Sequence, residues 1–288
     1  MAWNQEIKVF TVSDFDLRGP VKSCEVFTNY GKEIYGFNQE GWLVTSVTHY
    51  NESDYRRVAY RFLNGELMEK RSENFRNNVL DKVTSIANIY EVDTTGNKKI
   101  VENILSYQKE FLDRNEYFYG ADGNLDKIIH TNNEGIDETL IKTSHYGDET
   151  TQLYTVNGTD SKSIRTSFKT SKKDGKLYVV LTKYFLEGLP QRAEEKVFDA
   201  EDRIVKQVDY EYDIPSGEFT PHNEMVYVYD GDGVLKETIA EQGDERYTKE
   251  FIYQFDDSEW KNWVKEIVTP ENSYRTRKIE YYLTEDKD

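Results

Sequence analysis

Apolar and polar residues alternate along most of the chain in short runs, and clusters of Asn, Asp and Gly separate the runs. A period of two predicts strands that turn successive side chains to opposite faces. One phrase recurs with variation, most clearly as Tyr227-Val228-Tyr229-Asp230-Gly231-Asp232-Gly233-Val234-Leu235. Two aromatics alternate, a polar turn reverses the chain, and an apolar residue begins the return. Counted from the last strand aromatic, Phe37 has Gly41 at four residues and Leu43 at six; Tyr119 has Gly123 and Leu125, and Tyr229 has Gly233 and Leu235, at the same offsets. Phe198 keeps the offsets with Asp202 and Ile204, whereas Phe62, Gly65 and Leu67 form a copy one residue shorter. Asp174-Gly175-Lys176-Leu177 keeps only the turn half. A four-residue link of this kind holds a type I turn followed by a residue at positive φ, which Gly adopts freely and Asn or Asp tolerate.

Read in order, Ile7–Val12 is an expected edge strand and Asp14–Pro20 a loop. Strands are expected at Val21–Asn29, Ile34–Phe37, Trp42–Tyr50, Tyr55–Phe62, Leu67–Phe75 and Val79–Tyr90, with a break over Val92–Asn97. Lys99–Arg114 fits a helical stripe through Ile100, Ile104, Gln108 and Phe111. Tyr107–Tyr119, however, aligns with Tyr184–Phe198, where Gly188 and Pro190 forbid a regular helix, so a hairpin is expected. Strands follow at Asp126–His130, Leu140–His145, Gln152–Val156, Ile164–Thr170, Leu177–Phe185 (after a turn at Lys172–Lys176) and Ile204–Tyr212. Ile214–His222 reads as a surface loop. Glu224–Tyr229 and Leu235–Ala240 form the best hairpin; Tyr247–Phe255, Trp263–Val268 and Tyr274–Leu283 end the sheet, and Thr284–Asp288 is a polar tail. Turn glycines at 41, 65, 96 and 123 lie 24 to 31 residues apart, room for two strands and two reversals. Such a period marks stacked units, each unable to bury its own apolar face. The expectation is one all-β domain over residues 1–288, with little or no helix and its only seam at residues 135–175.

Composition sharpens this reading. The 288 residues include 22 Tyr, 14 Phe and 4 Trp, while the mean hydropathy is only -0.81. A core lined by aromatics with hydroxyls at its margin follows. Arg71-Ser72-Glu73, Arg114-Asn115-Glu116 and Arg192-Ala193-Glu194 place Arg and Glu two apart on a strand, hence on one face, where they suit a cross-strand charge ladder. The formal net charge of -17 opposes binding to nucleic acid or anionic lipid and fits a basic protein partner. Cys24 is the sole cysteine, so it builds no disulfide framework and no thiolate metal cage, and a buried inert thiol is expected. Met1–Glu6 lacks a basic n-region and an apolar h-region, and no stretch approaches the roughly 18 apolar residues of a membrane helix. A cytoplasmic protein without membrane insertion is expected, or an exported, cell-surface one if a leader has been removed.

The aromatic-x-Tyr-Asp-x-x-Gly-x-Leu phrases resemble the YD repeats of RHS-like proteins, in the divergent form found in small β-rich proteins of the Bacteroidetes. Leu17–Ser23 resembles the first strand of such chains, and Asn262–Lys265 with Tyr274–Tyr282 their closing hairpin. Lys261 departs from the pattern, standing where a Gly precedes Asn-Trp. The resemblance implies an antiparallel hairpin-repeat sheet, twisted and partly rolled (solenoid- or half-barrel-like), with no catalytic residues to carry over.

Candidate chemistry is sparse. Asp230–Gly233 and Asp199–Asp202 offer hard oxygens to calcium but lack the distal Glu of a calcium loop, and turn chemistry accounts for them. His49, His130, His145 and His222 are scattered without metal spacing. No nucleophile elbow is present, and carboxylate pairs are uninformative among 54 acids. No enzymatic activity, cofactor or metal is therefore expected. Trp42, Trp260, Trp263, Tyr227 and Tyr229 are the candidate binding residues, as rings able to stack on a glycan or receive a protein. The expected role is a non-enzymatic binding or scaffold protein engaging another macromolecule through a sheet face or edge. The alternatives are an acidic immunity-type inhibitor of a toxin or a carbohydrate-binding surface module.

Overall fold

The computed structural model describes residues 7–171, 175–243 and 245–283; Met1–Glu6, most of the Lys172–Lys176 turn and the Thr284–Asp288 tail lie outside the described residues. Among the described residues are twenty strands: β1 (Val21–Thr28), β2 (Gly31–Phe37), β3 (Leu43–His49), β4 (Tyr55–Leu63), β5 (Glu66–Arg76), β6 (Val79–Asp93), β7 (Lys99–Ser106), β8 (Phe111–Tyr119), β9 (Leu125–Asn132) and β10 (Gly135–Tyr146), followed by β11 (Glu149–Val156), β12 (Thr159–Ser171), β13 (Gly175–Leu186), β14 (Leu189–Phe198), β15 (Ile204–Asp213), β16 (Glu218–Tyr229), β17 (Leu235–Gln242), β18 (Glu245–Phe255), β19 (Trp263–Thr269) and β20 (Ser273–Tyr281). The one helical element described is a 3₁₀ turn at Val12–Phe15.

Turn chemistry sets the hairpins. In the phrase copies, the fourth link residue takes positive φ at Gly41 (80°), Gly123 (80°), Asp202 (59°) and Gly233 (77°). The Gly233 amide donates to the Asp230 carbonyl at 3.1 Å and the Asp230 amide to the Val234 carbonyl at 2.9 Å. The partner register then slips by one at Gly36/Phe37, Val197/Phe198 and Val228/Tyr229, a bulge that follows such a turn. Shorter reversals use two positive-φ residues, as at Asn64-Gly65 (51° and 84°) and Asn157-Gly158 (49° and 83°), the signature of a type I′ turn. Lys99–Arg114 forms parts of β7 and β8, not a helix, with Val101 opposite Glu116.

The sheet as a whole differs from the expectation. All twenty strands belong to one sheet, and the described registers are antiparallel. β1 pairs not only with β2 but also with β20, with Cys24 opposite Ile279 and Val26 opposite Arg277. The ladder therefore has no free edge at its ends, and the sheet closes as a 20-strand barrel. The expected open, partly rolled solenoid or half-barrel, and the RHS-like architecture implied by resemblance, are both corrected by this pairing. The physical reason is that local turns fix each hairpin but leave undetermined whether the last strand meets the first. Two local expectations also fail. Ile7–Val12 makes only a bridge at Thr11–Trp42 before the 3₁₀ turn. Part of the supposed loop Ile214–His222 joins β16, with Pro221 opposite Tyr210 beside a register shift, where a strand tolerates proline.

The chain divides into two compact units, one of Met1–Phe118, His130–Gly135 and Ile252–Asp288, the other of Tyr119–Ile129 and Ile136–Phe251. The first unit holds an apolar cluster of Leu17, Val21, Cys24, Val26, Phe37 and Leu43, flanked by Phe10, Val12, Phe15, Tyr35 and Ile279. Burial of a Val, Leu or Phe side chain there contributes about 1.5–3 kcal/mol. Cys24 is buried as expected. In the second unit, rows of aromatics follow the register, Phe168 facing Tyr178 at 5.6 Å and Tyr178 facing Phe198 at 5.7 Å.

Candidate functional site

Alternation gives each strand of the first unit two faces. One face of β4 and β5 carries a charge ladder, with Arg57 Nε donating to Glu73 at 2.9 Å and Arg61 Nε to Glu69 at 3.2 Å. Of the three expected Arg-x-Glu copies, Arg114 also bonds its own strand neighbour Glu116 at 3.2 Å, and Lys99 reaches Glu116 across the ladder.

The opposite face is more unusual, because a carboxylate is buried there. Register places Glu102 of β7 directly between Tyr90 of β6 and Asn115 of β8. Side chains two apart on a strand share a face, which brings Asn88 and Tyr117 to the same carboxylate. Asn88 Nδ2 donates to Oε1 at 2.8 Å and the Tyr90 hydroxyl to the same oxygen at 2.9 Å. Asn115 Nδ2 and the Tyr117 hydroxyl each donate to Oε2 at 2.9 Å. All five residues are buried. Beyond them, His130 Nδ1 donates to Asn115 Oδ1 at 2.8 Å, which fixes that amide's orientation, and Asn132 Nδ2 faces His130 Nε2 at 3.3 Å. The four lone-pair sites of the carboxylate are filled. Both of its oxygens are therefore committed to side-chain donors, two on each.

A second polar group lies where β19 and β20 meet the N-terminal segment. Glu266 receives Arg275 through two bonds, at 2.7 and 2.9 Å. Arg277 lies 3.5 Å from the Trp263 ring centroid, and the Trp263 indole N–H donates to Asp16 at 2.7 Å.

The sequence-predicted binding residues are not assembled into one site. Trp263 is buried and serves Asp16 and Arg277. Trp260, 38% exposed, stands over Gly19. Trp42 packs on Phe62 at 5.1 Å. Tyr229 donates its hydroxyl to the Ile204 carbonyl at 2.9 Å and receives Arg203 over its ring. Tyr227 is half-buried opposite Thr238. The suspected calcium turns use their oxygens internally: Asp230 Oδ1 accepts the amides of Asp232 and Val234. Asp199 Oδ1 accepts those of Glu201 and Arg203. Among the described residues, no cluster of three metal-ligating side chains occurs.

Sequence reading missed the Glu102 cage. Its signal was present as a duplicated Asn-x-Tyr, Asn88-Ile89-Tyr90 and Asn115-Glu116-Tyr117, on either side of Glu102.

No family model matches the chain, and no curated protein matches it. Among solved structures it is similar to a porin-like protein from Bacteroides uniformis, with 10% identity over 91% of this chain and 97% of that chain and a TM-score of 0.35. A porin-like protein from Bacteroides vulgatus aligns with 10% identity over 92% of this chain and 99% of that chain, at a TM-score of 0.26. At this level neither neighbour decides anything for this chain, whose reading rests on its own ladder.

That ladder corrects several expectations. A scaffold engaging partners through a sheet edge needs an edge, and the closed sheet offers none at β1 or β20. The immunity-type and glycan-module alternatives, with their protein or glycan partners, rested on net charge, a missing leader and surplus aromatics, none of which anticipates a closed sheet, and they are corrected with it. Cytoplasmic location and the absence of membrane insertion were inferred from a missing leader and missing apolar helices. No described helix is long and apolar enough to cross a membrane, but barrels cross with strands, and that criterion does not reach them.

Proposed function

We propose that the chain is a passive, porin-like β-barrel protein that carries out no chemical turnover. The observation that carries this reading is closure: an even number of antiparallel strands, with the first paired to the last. That architecture belongs to barrels that wall off a space or a passage. The non-catalytic part is supported by the occupancy of the best-placed carboxylates. Glu102 is saturated by four donors, Glu266 by Arg275, and Asp199 and Asp230 by turn amides.

The test is flotation of the purified chain with liposomes, followed by release of a small polar dye from vesicles that carry it. Co-flotation with dye release is expected. A chain that stays in the aqueous fraction and releases nothing would overturn the porin-like reading. The Arg57–Glu73 and Arg61–Glu69 rows would then form a water-facing surface, since an unmatched Arg or Lys on a lipid face costs about 2–4 kcal/mol at the bilayer midplane.

A further inference from the structure

We propose that the segment Phe10–Arg18 is a latch that holds the sheet shut at the β1–β20 seam. The two seam strands are the most distant pairing in the chain, and bringing them together costs loop-closure entropy that no local turn offsets. Their own ladder is interrupted by a register shift between Val21 and Ser23. The segment bridges the two sides of this seam, and its contacts divide between them.

On the β1–β3 side, the Leu43 amide donates to the Phe10 carbonyl at 2.8 Å and the Val12 amide to the Gly41 carbonyl at 2.9 Å. Phe15 packs on Tyr35 at 4.4 Å and on Phe37 at 5.5 Å, and Leu17 is buried in the same cluster.

On the β19–β20 side, Asn262 forms a reciprocal amide pair with Arg18. Its Oδ1 accepts the Arg18 amide at 2.8 Å and its Nδ2 donates to the Arg18 carbonyl at 2.8 Å, as a bridging strand residue would. The same Nδ2 donates to the Tyr281 hydroxyl at 2.7 Å. Arg277, opposite Val26 in the seam, gives its guanidinium to the Phe15 carbonyl at 2.8 Å and the Asp16 carbonyl at 3.0 Å. The Trp263 indole holds Asp16 from the same side. Just beyond the segment, the Tyr282 amide donates to the Pro20 carbonyl at 2.8 Å.

A contact set of this kind acts on one place. Loss of the Asn262 pair removes two bonds to main chain at the seam and leaves the hairpin turns of β3–β8 intact, so opening is local. The experiment is amide hydrogen exchange read by mass spectrometry on the full chain, comparing wild type with Asn262→Ala and with Trp263→Phe. The second variant removes the Asp16 bond and part of the buried ring beside Tyr253, keeps an aromatic ring beneath Arg277, and supplies the reading if Asn262→Ala does not fold. Exchange in Val21–Thr28 and Ser273–Tyr281 is expected to rise about tenfold or more in Asn262→Ala, the order that two lost hydrogen bonds to main chain give. A smaller rise in the same two segments is expected in Trp263→Phe, with β4–β6 unchanged in both. Unchanged exchange at the seam, or an increase spread evenly over all strands, would overturn the latch.

Discussion

Replacement of Glu102 by Gln isolates the buried cage from everything else that holds the sheet. The side chain keeps its size, but one of its two oxygens becomes an NH2 group. Two of the four donors, from Asn88, Tyr90, Asn115 and Tyr117, must then face a donor. A tyrosine hydroxyl can rotate and accept. Asn115 cannot reverse its amide freely, because its Oδ1 already accepts from His130. The remaining two bonds change from charge-assisted to neutral, each losing about 1 kcal/mol, and the donor conflict adds about 1–2 kcal/mol. The expected destabilisation is about 3–4 kcal/mol. Glu73→Gln is the control, since it breaks a partly exposed pair with Arg57 that contributes about 1 kcal/mol or less. Urea unfolding followed by tryptophan fluorescence gives both values from the midpoints at constant slope. If Glu102→Gln unfolds within about 0.5 kcal/mol of wild type, or no lower than Glu73→Gln, the cage does not stabilise the β6–β8 ladder.

Three further outcomes follow from single sites. Asp230→Ala removes the acceptor of two turn amides and is expected to cost about 1 kcal/mol, whereas Asp230→Asn retains the acceptor and is expected to stay within about 0.5 kcal/mol, measured by the same unfolding assay. Gly31→Ala would place a Cβ 2.4 Å from the His49 carbonyl oxygen, so β2 and β3 must separate locally; a loss of about 1–3 kcal/mol and faster amide exchange in β3 are expected. Asp199 lies in the β14–β15 turn: burial pushes its carboxyl up, but bonds from the Arg203 side chain and from the Arg203 and Glu201 amides outweigh that and hold it below the ordinary value of 3.8. A depressed folded-state pKa gives stability that is complete above the unfolded value and lost as pH falls through the folded one. Unfolding midpoints should therefore drop on acidification below about pH 4–5 in wild type, and less steeply in Asp199→Asn.

The hairpins were legible because their cause is local. The offsets from Phe37, Tyr119, Phe198 and Tyr229 to a residue at positive φ specify turn, bulge and register within a few residues. The hairpin at Lys99–Arg114 was reached the same way, by comparison with Gly188 and Pro190, against a helical stripe that the structure does not use. Closure was illegible because it depends on Val21–Thr28 meeting Ser273–Tyr281, and nothing in either run marks the other as its partner. The aromatic candidates differ, because their surroundings were not legible. Trp263 carries the surface chemistry of a binding residue, but the N-terminal segment consumes it, supplying Asp16 to its indole N–H. The Glu102 cage lay hidden in an ordinary count of acids, since its burial and its four side-chain donors, not composition, set it apart.

Ile279→Cys tests closure most directly. Cys24 is the only cysteine and stands opposite Ile279 across β1 and β20. Directly opposed residues in an antiparallel pair have Cα atoms about 4.5–5.5 Å apart, within disulfide range. Refolding of the variant in a thiol–disulfide redox couple, while both thiols are still accessible, is predicted to consume both thiols in a single monomeric species with altered mobility on non-reducing gels. Two thiols that remain titratable after denaturation, or that join only separate chains, would contradict a sheet whose first and last strands are neighbours.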